Sequence, residues 1–412
     1  MSKIVVVGGG AAGMLASIIA ARNGHQVVLF EKNEKLGKKL YITGKGRCNI
    51  TNACDVEELF NNILTNKKFM YSSIYGFTNH DMMDMLSECG LKIKTERGNR
   101  VFPDSDKSSD VIAVLQKTMK KYGVEINLDT QVLKITSDEG RVTGVVVKKG
   151  KETLNVSADS VIVATGGVSY PTTGSTGDGH TFAKELGHNV TELLPGLVPF
   201  NTKEEWVKEL QGLSLKNVEV SVFCDNKEIY NEFGEMLFTH FGVSGPVILS
   251  ASSYIKSDML KKKLTMTIDL KPAMSEEQLG QRVLRETEAN VNKAWKNVIE
   301  NFIPKKMVPV MLDKIGIPGD KKMNSITKEE RMRIVAALKK LEITIVGLRG
   351  FNEAIITRGG VATKEINPTT MESKLVKGLY FAGEVLDVDA VTGGFNLQIA
   401  WSTAYAAGIS VE

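Results

Sequence analysis

Two glycine-rich stretches at opposite ends of the chain carry residue types able to hold phosphate and a redox ring. The first, GGGAAG, runs from Gly8 to Gly13, and the second, AGEVLDVDAVTGGFNLQIAWSTAYAAG, runs from Ala382 to Gly408. Gly8-x-Gly10-x-x-Gly13 follows the apolar run Ile4–Val7 and opens a small, apolar stretch ending at Asn23-Gly24; Val27–Phe30 and Glu31 come next. That order reads as strand, glycine turn, helix, strand. Gly8 permits the turn, Gly10 lets backbone approach a pyrophosphate, and Gly13 lets helix and strand pack closely. Ala11 and Ala12 open the helix, where unpaired N–H groups and the positive dipole end face phosphate. Glu31 lies 18 residues after Gly13, where a carboxylate accepts hydrogen bonds from ribose hydroxyls and disfavours a 2′-phosphate.

The later segments separate a flavin dinucleotide from a nicotinamide one. LNVSADSVIVATGGVSYPTTGSTGDGH holds a strand, Val161 to Ala164, ending in Thr165-Gly166-Gly167. Alternating runs at Val124–Val132, Val142–Val147 and Leu154–Val156 predict a β-meander before it. Further on, Leu379–Ala382 reads as a strand ending in Gly383-Glu384, and the turn at Gly393-Gly394 leads into an apolar helix from about Asn396 to Ala407. The start of that helix, with Gly394, Phe395, Asn396 and Leu397, would offer N–H groups to the N1–C2=O edge of a flavin, where negative charge collects on reduction. The first glycine turn would then hold the pyrophosphate and the last one the ring.

GGGAAG, GKKLYITGKGRCNITN (37–52), ATGGVSYPTTGSTGDGH (164–180), LFTHFGVSGP (237–246) and GLYFAGEVLDVDAVTGGFNLQIAWSTAYAAG (378–408) together resemble the HI0933-like flavoproteins, also called the aminoacetone oxidase family. Ala390 stands where members of that family usually carry glycine. The resemblance spans the whole chain. It implies an α/β fold: a Rossmann-like FAD-binding domain of the two-dinucleotide-binding type, with an inserted β-barrel-like plus α-helical domain. The expected boundaries are 1–194 and 357–412 for the FAD domain and 195–356 for the insert. Within the insert, 195–271 and 342–356 should be barrel-like and 272–341 helical, with helices at 277–288, 291–302, 306–315 and 328–340. The expected cofactor contacts, beyond those above, are Lys32, Lys38, Lys39, Gly46, Arg47, Cys48, Asn49, Val132, Ala164, Thr165, Gly166, Gly383 and Glu384. Arg47 would meet the pyrophosphate bidentately and Asn49 would hydrogen-bond the flavin.

In a flavoenzyme the ring carries the electrons, and side chains orient substrate and tune charge. The candidates for that work are Arg358 in ITRGGV as an anchor for a carboxylate, carbonyl or phosphate, His240 in FTHFGVSGP as a proton donor or acceptor, and Tyr170 beside the 164–180 glycine run. Cys48 and Cys54 have five residues between them, and a buried, inert Cys48 is favoured over a redox disulfide. Non-covalent FAD is expected, because no attachment motif stands out, and NADH or NADPH would visit transiently because no second nucleotide domain is evident.

The bulk composition narrows the class. In 412 residues, 52 basic and 48 acidic side chains give a net charge of +4, without the clustered footprint of a nucleic-acid binder. The four cysteines form no CxxC pair and no histidine spacing suits a metal. Ile4–Ala21 is uncharged but holds four glycines, and reads as strand, turn and helix rather than a membrane span. Taken with the resemblance, which implies a FAD-dependent oxidoreductase, these features lead to the expectation of a cytoplasmic enzyme acting on a small organic substrate, by amine oxidation with dioxygen or NAD(P)H-driven reduction of an activated C=C or C=O. A flavin-dependent RNA-modifying protein and a flavin-bearing sensor without turnover are the alternatives.

Overall fold

The computed structural model describes residues 1–412. They divide into two compact units, Met1–Gly196 with Gly350–Glu412, and Leu197–Arg349.

The first unit is built on a parallel sheet in the spatial order Leu379–Phe381, Ser160–Val163, Lys3–Val7, Gln26–Phe30, Glu125–Asn127. Ser160–Val163 is buried at every position and Lys3–Val7 at all but its first, which is why these segments are apolar runs rather than alternating ones. The helix Ala11–Arg22 follows the first strand, and the long helix Phe395–Ser410 ends the chain. Both are apolar around most of their circumference, as helices buried on all sides must be. They pack against each other closely: a Cβ on Gly408 would lie 2.8 Å from the carbonyl oxygen of Ala16. The antiparallel strands Thr130–Asp138, Arg141–Lys149 and Glu152–Ser157 form the expected meander.

Between Ala53 and Tyr122 lies a helical stretch that the hydrophobic pattern did not announce. It holds Val56–Asn61, Tyr71–Gly76, Asn79–Glu88 and Ser108–Lys121. Two of these are six residues long, too short for a 3.6-residue period to stand out. Local side chains start two of them: Asp55 accepts from the amide of Glu58, and Thr78 with Asp81 forms a capping box.

The second unit contains a closed six-strand barrel, in the order Phe200–Thr202, Gly242–Ser244, Lys227–Phe238, Ser214–Cys224, Leu264–Asp269 and Leu341–Leu348. The longest of these, Lys227–Phe238, runs unbroken for 12 residues. The helical part of this unit has capping boxes at Ser275/Gln278 and Thr327/Glu330. The helix expected over 291–302 is interrupted, reduced to Trp295–Val298 and a short 3₁₀ turn, Ile299–Asn301. The amides of Trp295 and Lys296 donate to the carbonyls of Lys321 and Gly319 instead of to their own preceding turn. The end of the stretch 342–356, expected to be barrel-like, instead leads into a strand of the first unit, Ile356–Arg358, paired with Leu194–Gly196. No helix is long and apolar enough to cross a membrane.

Candidate functional site

The first glycine turn is a cradle with one open wall. A Cβ on Gly13 would lie 1.8 Å from the carbonyl oxygen of Gly8, whereas one on Gly10 would meet nothing within 4 Å. Gly13 is therefore closed against the turn and Gly10 faces free space. The helix behind it begins without a side-chain cap, so its first-turn amides have only outside groups to bond. Glu31 is tied into the rim: one carboxylate oxygen accepts from the Gly9 amide at 2.7 Å, and the other from the Asn33 amide and side chain at 2.8 and 2.6 Å. Glu31→Ala removes three acceptor contacts and any ribose acceptor together. Flavin retention should fall by about tenfold, equivalent to roughly 1.4 kcal/mol, with the fold intact. The flavin-to-protein absorbance ratio after gel filtration measures this; a fully loaded variant would refute the assignment.

A second cluster joins residues far apart in sequence. Glu384 accepts from Lys39 Nζ at 2.6 Å, Ser169 Oγ at 3.0 Å and the Thr357 amide at 2.7 Å. Thr357 Oγ in turn accepts from the amides of Val168 and Ser169. Lys32 pairs with Asp178 at 2.8 Å, while Lys38 reaches the exposed Glu34 at 3.1 Å. The two ends of the chain meet here: a Cβ on Gly383 would lie 2.9 Å from the Cβ of Ala12. Gly166 borders the same cluster, 3.9 Å from Glu384 when given a Cβ. Val132 is buried in the meander opposite Val147, and Ala164 lies over the Gly8 turn.

The C-terminal helix starts at Gly394, whose φ of +103° suits glycine and whose added Cβ would lie 2.5 Å from the Thr51 backbone. It too begins without a side-chain cap. The side chain of Asn396 staples the preceding loop, accepting from the Ala390 amide and donating to the carbonyls of Ala390 and Val391. Trp401 and Gln398 then bond Ile50 and Thr51, which locks the Gly46–Asn52 segment to this helix. Within that segment Arg47 lies over the Phe102 ring and pairs with Glu96 and Asp106, both at 2.5 Å. Lys94 and Arg47 hold the Asp106 carboxyl below its usual range, and Arg47 does the same for Glu96. The guanidinium is thus committed to carboxylates rather than presented to a pyrophosphate. Cys48 is buried and its thiol is pushed up to about 12 by that burial, so it is a poor nucleophile at neutral pH. All four cysteines are free.

Two buried polar atoms in these segments lack a partner, Asn49 Oδ1 and Thr165 Oγ1. Orphaned acceptors and donors are uncommon in folded chains and call for a ligand or water. With the open space at Gly10 and two uncapped helix starts, the residues present fit a flavin dinucleotide.

The catalytic candidates divide between the units. Tyr170, with a left-handed φ of +50°, and Arg358 belong to the first unit. Burial, and then Glu353, push the Tyr170 phenol up. His240 belongs to the second unit, where it is exposed and packs edge-on to Phe241 at 4.9 Å. Beside Arg358 stands an acid the candidate set lacked. Asp389 is 1% exposed, Arg358 Nε is 3.8 Å away, and neither carboxylate oxygen completes a hydrogen bond of ordinary geometry. Desolvation raises the proton affinity of Asp389, against the partly offsetting pull of Thr65 and Arg358, and Asp387 shifts in the same direction for the same first cause. A raised folded-state value means the protonated form stabilises the fold at low pH and that contribution is lost as pH rises. Asp389→Asn should therefore melt a few degrees above wild type at neutral pH, about 1 kcal/mol, and the gap should narrow toward pH 4. Melting curves across that range test it; a lower melting temperature at pH 7 would show that the charged form is stabilising.

The profile of the HI0933-like protein Rossmann domain matches residues 2–410. A ribosomal RNA dihydrouridine synthase of Haemophilus influenzae is 33% identical, covering 100% of this chain and 98% of that protein. One of Escherichia coli is 31% identical over 98% and 96%. A 3-dehydro-bile acid delta(4,6)-reductase of Clostridium scindens is 29% identical over 99% and 98%. With a profile match across nearly the whole chain and a site that fits a flavin dinucleotide, the chain belongs to the HI0933-like flavoprotein family and is an FAD-dependent oxidoreductase.

Proposed function

We propose that this chain is a reductase that saturates a C=C bond conjugated to a carbonyl, and that the bond lies in uracil rings of ribosomal RNA. The relatives carry this reading. A dihydrouridine synthase and a delta(4,6)-reductase name the same chemistry on different skeletons, the addition of two hydrogens across an electron-poor double bond. Both kinds of relative match along nearly their full lengths, so the core chemistry is a better inference than either substrate. Two relatives at 31 and 33% identity favour the nucleic-acid skeleton.

A bound, non-covalent FAD would supply the hydride, with NADH or NADPH as the visiting donor. Gly8–Gly13 and Glu31 would hold its phosphates and ribose, and the Gly394 helix start would offer N–H groups where negative charge collects. Arg358, 13% exposed with its Nε 3.8 Å from Asp389, is suited to hold the carbonyl oxygen of the substrate, drawing charge away from the carbon that is to be attacked. The even charge balance still argues against a broad electrostatic footprint on RNA, so recognition must rest on a few specific contacts. Amine oxidation has no support among these relatives. A small dienone is the second reading, favoured by the bile-acid relative.

The test has two stages. Under anaerobic conditions NADH or NADPH should bleach the flavin bands. The reduced protein should then form dihydrouridine in ribosomal RNA taken from cells lacking this chain, read by nucleoside mass spectrometry. Bleaching without dihydrouridine, together with turnover of a steroid dienone, would replace RNA by the small-molecule reading. Bands that persist with both nicotinamides and bleach with an amine would overturn the reductase.

A further inference from the structure

The stretch from Phe60 to Tyr75 carries three rings in one cluster. Phe60, 5% exposed, lies beneath Tyr71 and Tyr75 with centroids 4.5 and 5.6 Å away. Tyr71 and Tyr75, one helical turn apart, have ring planes within 6° of each other and centroids 6.4 Å apart. They are 46% and 60% exposed. About half of each ring surface thus stays open to solvent, although burying it would stabilise the fold. From Asn61 to Asn79 the charged side chains are Lys67 and Lys68 and no others.

This stretch is clamped to the loop that enters the C-terminal helix. The amide of Leu64 donates to the Asp389 carbonyl at 2.9 Å, the Asn66 side chain to the Asp387 carbonyl at 2.6 Å, and the Val391 amide to the Asn62 carbonyl at 3.1 Å. The two rings are therefore held in fixed register to the segment 387–394, which leads to the Gly394 helix start.

We propose that Tyr71 and Tyr75 form a stacking platform for unpaired nucleobases of an RNA. The choice of occupant rests on the RNA reading of the function. Flat, exposed aromatic faces take bases of any sequence, and flanking ammonium groups take the phosphates between them. Glu57 and Glu58 on the preceding helix keep the local charge low, so stacking rather than phosphate contact carries the affinity. That resolves the mixed charge of the chain with an RNA substrate: the protein would grip bases near the target rather than attract the backbone at long range.

The test uses full-length, flavin-loaded protein and fluorescence anisotropy with a short, fluorescein-labelled, uridine-rich single strand, with deproteinised ribosomal RNA as competitor. Tyr71→Ala with Tyr75→Ala should weaken binding by about tenfold or more, with little change in salt dependence. Tyr71→Phe with Tyr75→Phe should restore wild-type affinity, because the ring face and not the hydroxyl stacks. Wild-type affinity in the double alanine variant would overturn the platform and leave the RNA reading standing. Loss of affinity in the double phenylalanine variant would also overturn it. No binding of either RNA by the wild type would overturn both. Flavin absorbance and a melting curve verify that each variant is folded, and Tyr75→Ala alone, at the more exposed ring, carries the test if the double alanine variant does not fold.

Discussion

Gly13→Ala should yield a protein that is colourless after purification and markedly less stable than wild type. The added methyl would lie 1.8 Å from the Gly8 carbonyl oxygen and 3.0 Å from its carbon, and neither is the end of a flexible side chain. Something in the backbone must move. The Gly8 peptide is itself fixed, its amide donating to the Phe30 carbonyl at 2.9 Å, so the turn cannot retreat without breaking this bond at the end of the first two strands' pairing. Forcing a group into packed backbone costs about 1–3 kcal/mol and occasionally more, a large part of the ~5–15 kcal/mol that holds a typical domain together. The cradle is distorted by the same movement, so loss of flavin and loss of stability should appear together. Visible absorbance of the purified variant and a denaturant titration measure the two. A yellow variant within 0.5 kcal/mol of wild type, the range of an ordinary surface change, would show that the turn is softer than its geometry implies. Gly10→Ala offers the contrast. A Cβ there meets nothing in the protein, so this variant should fold normally and lose flavin alone.

The contrast between these glycines shows what was legible in the sequence. Spacing was enough to place the glycine turn between the strand Lys3–Val7 and the helix Ala11–Arg22, because local geometry dictates both. The parallel strands were legible as apolar runs and the meander as alternating ones, while the barrel came from the family resemblance. What the sequence hid depends on partners distant along the chain. Arg47 looks like a phosphate ligand in GKGRCN, yet Glu96 and Asp106 lie 49 and 59 residues on and occupy its guanidinium. The stretch 291–302 has helical spacing, yet carbonyls from Gly319 and Lys321 claim its amides. Asp389 looks like one more loop acid until its burial is known. The DVD alternation among apolar neighbours, next to a double glycine, was the available signal, since a charged side chain in such company is seldom fully buried without a purpose.

Trp401→Ala should cost more stability than any change confined to the surface. The indole is fully buried in the C-terminal helix, and its Nε1 donates to the Ile50 carbonyl at 2.9 Å. Truncating a buried tryptophan costs about 3–5 kcal/mol through lost burial and the cavity left behind. The Ile50 carbonyl, then without its donor, adds a further penalty of about 1–3 kcal/mol. The two overlap, and their lower sum already approaches the stability of a marginal domain. The effect reaches the flavin site because Ile50 follows Cys48-Asn49, and Thr51 is bonded to Gln398 one turn earlier on the same helix. With two compact units in the chain, a single unfolding transition cannot be assumed, so flavin release should be followed beside the intrinsic signal. In Trp401→Ala both should shift to lower denaturant together; an unfolding free energy within 1 kcal/mol of wild type would count against this account. Trp401→Phe separates the two contributions. It keeps most of the ring volume but leaves the Ile50 carbonyl without its donor. If it loses stability while keeping flavin, the indole bond serves the fold alone. If it loses flavin while melting like wild type, that bond is what holds Asn49, with its unpartnered buried oxygen, in position for the cofactor.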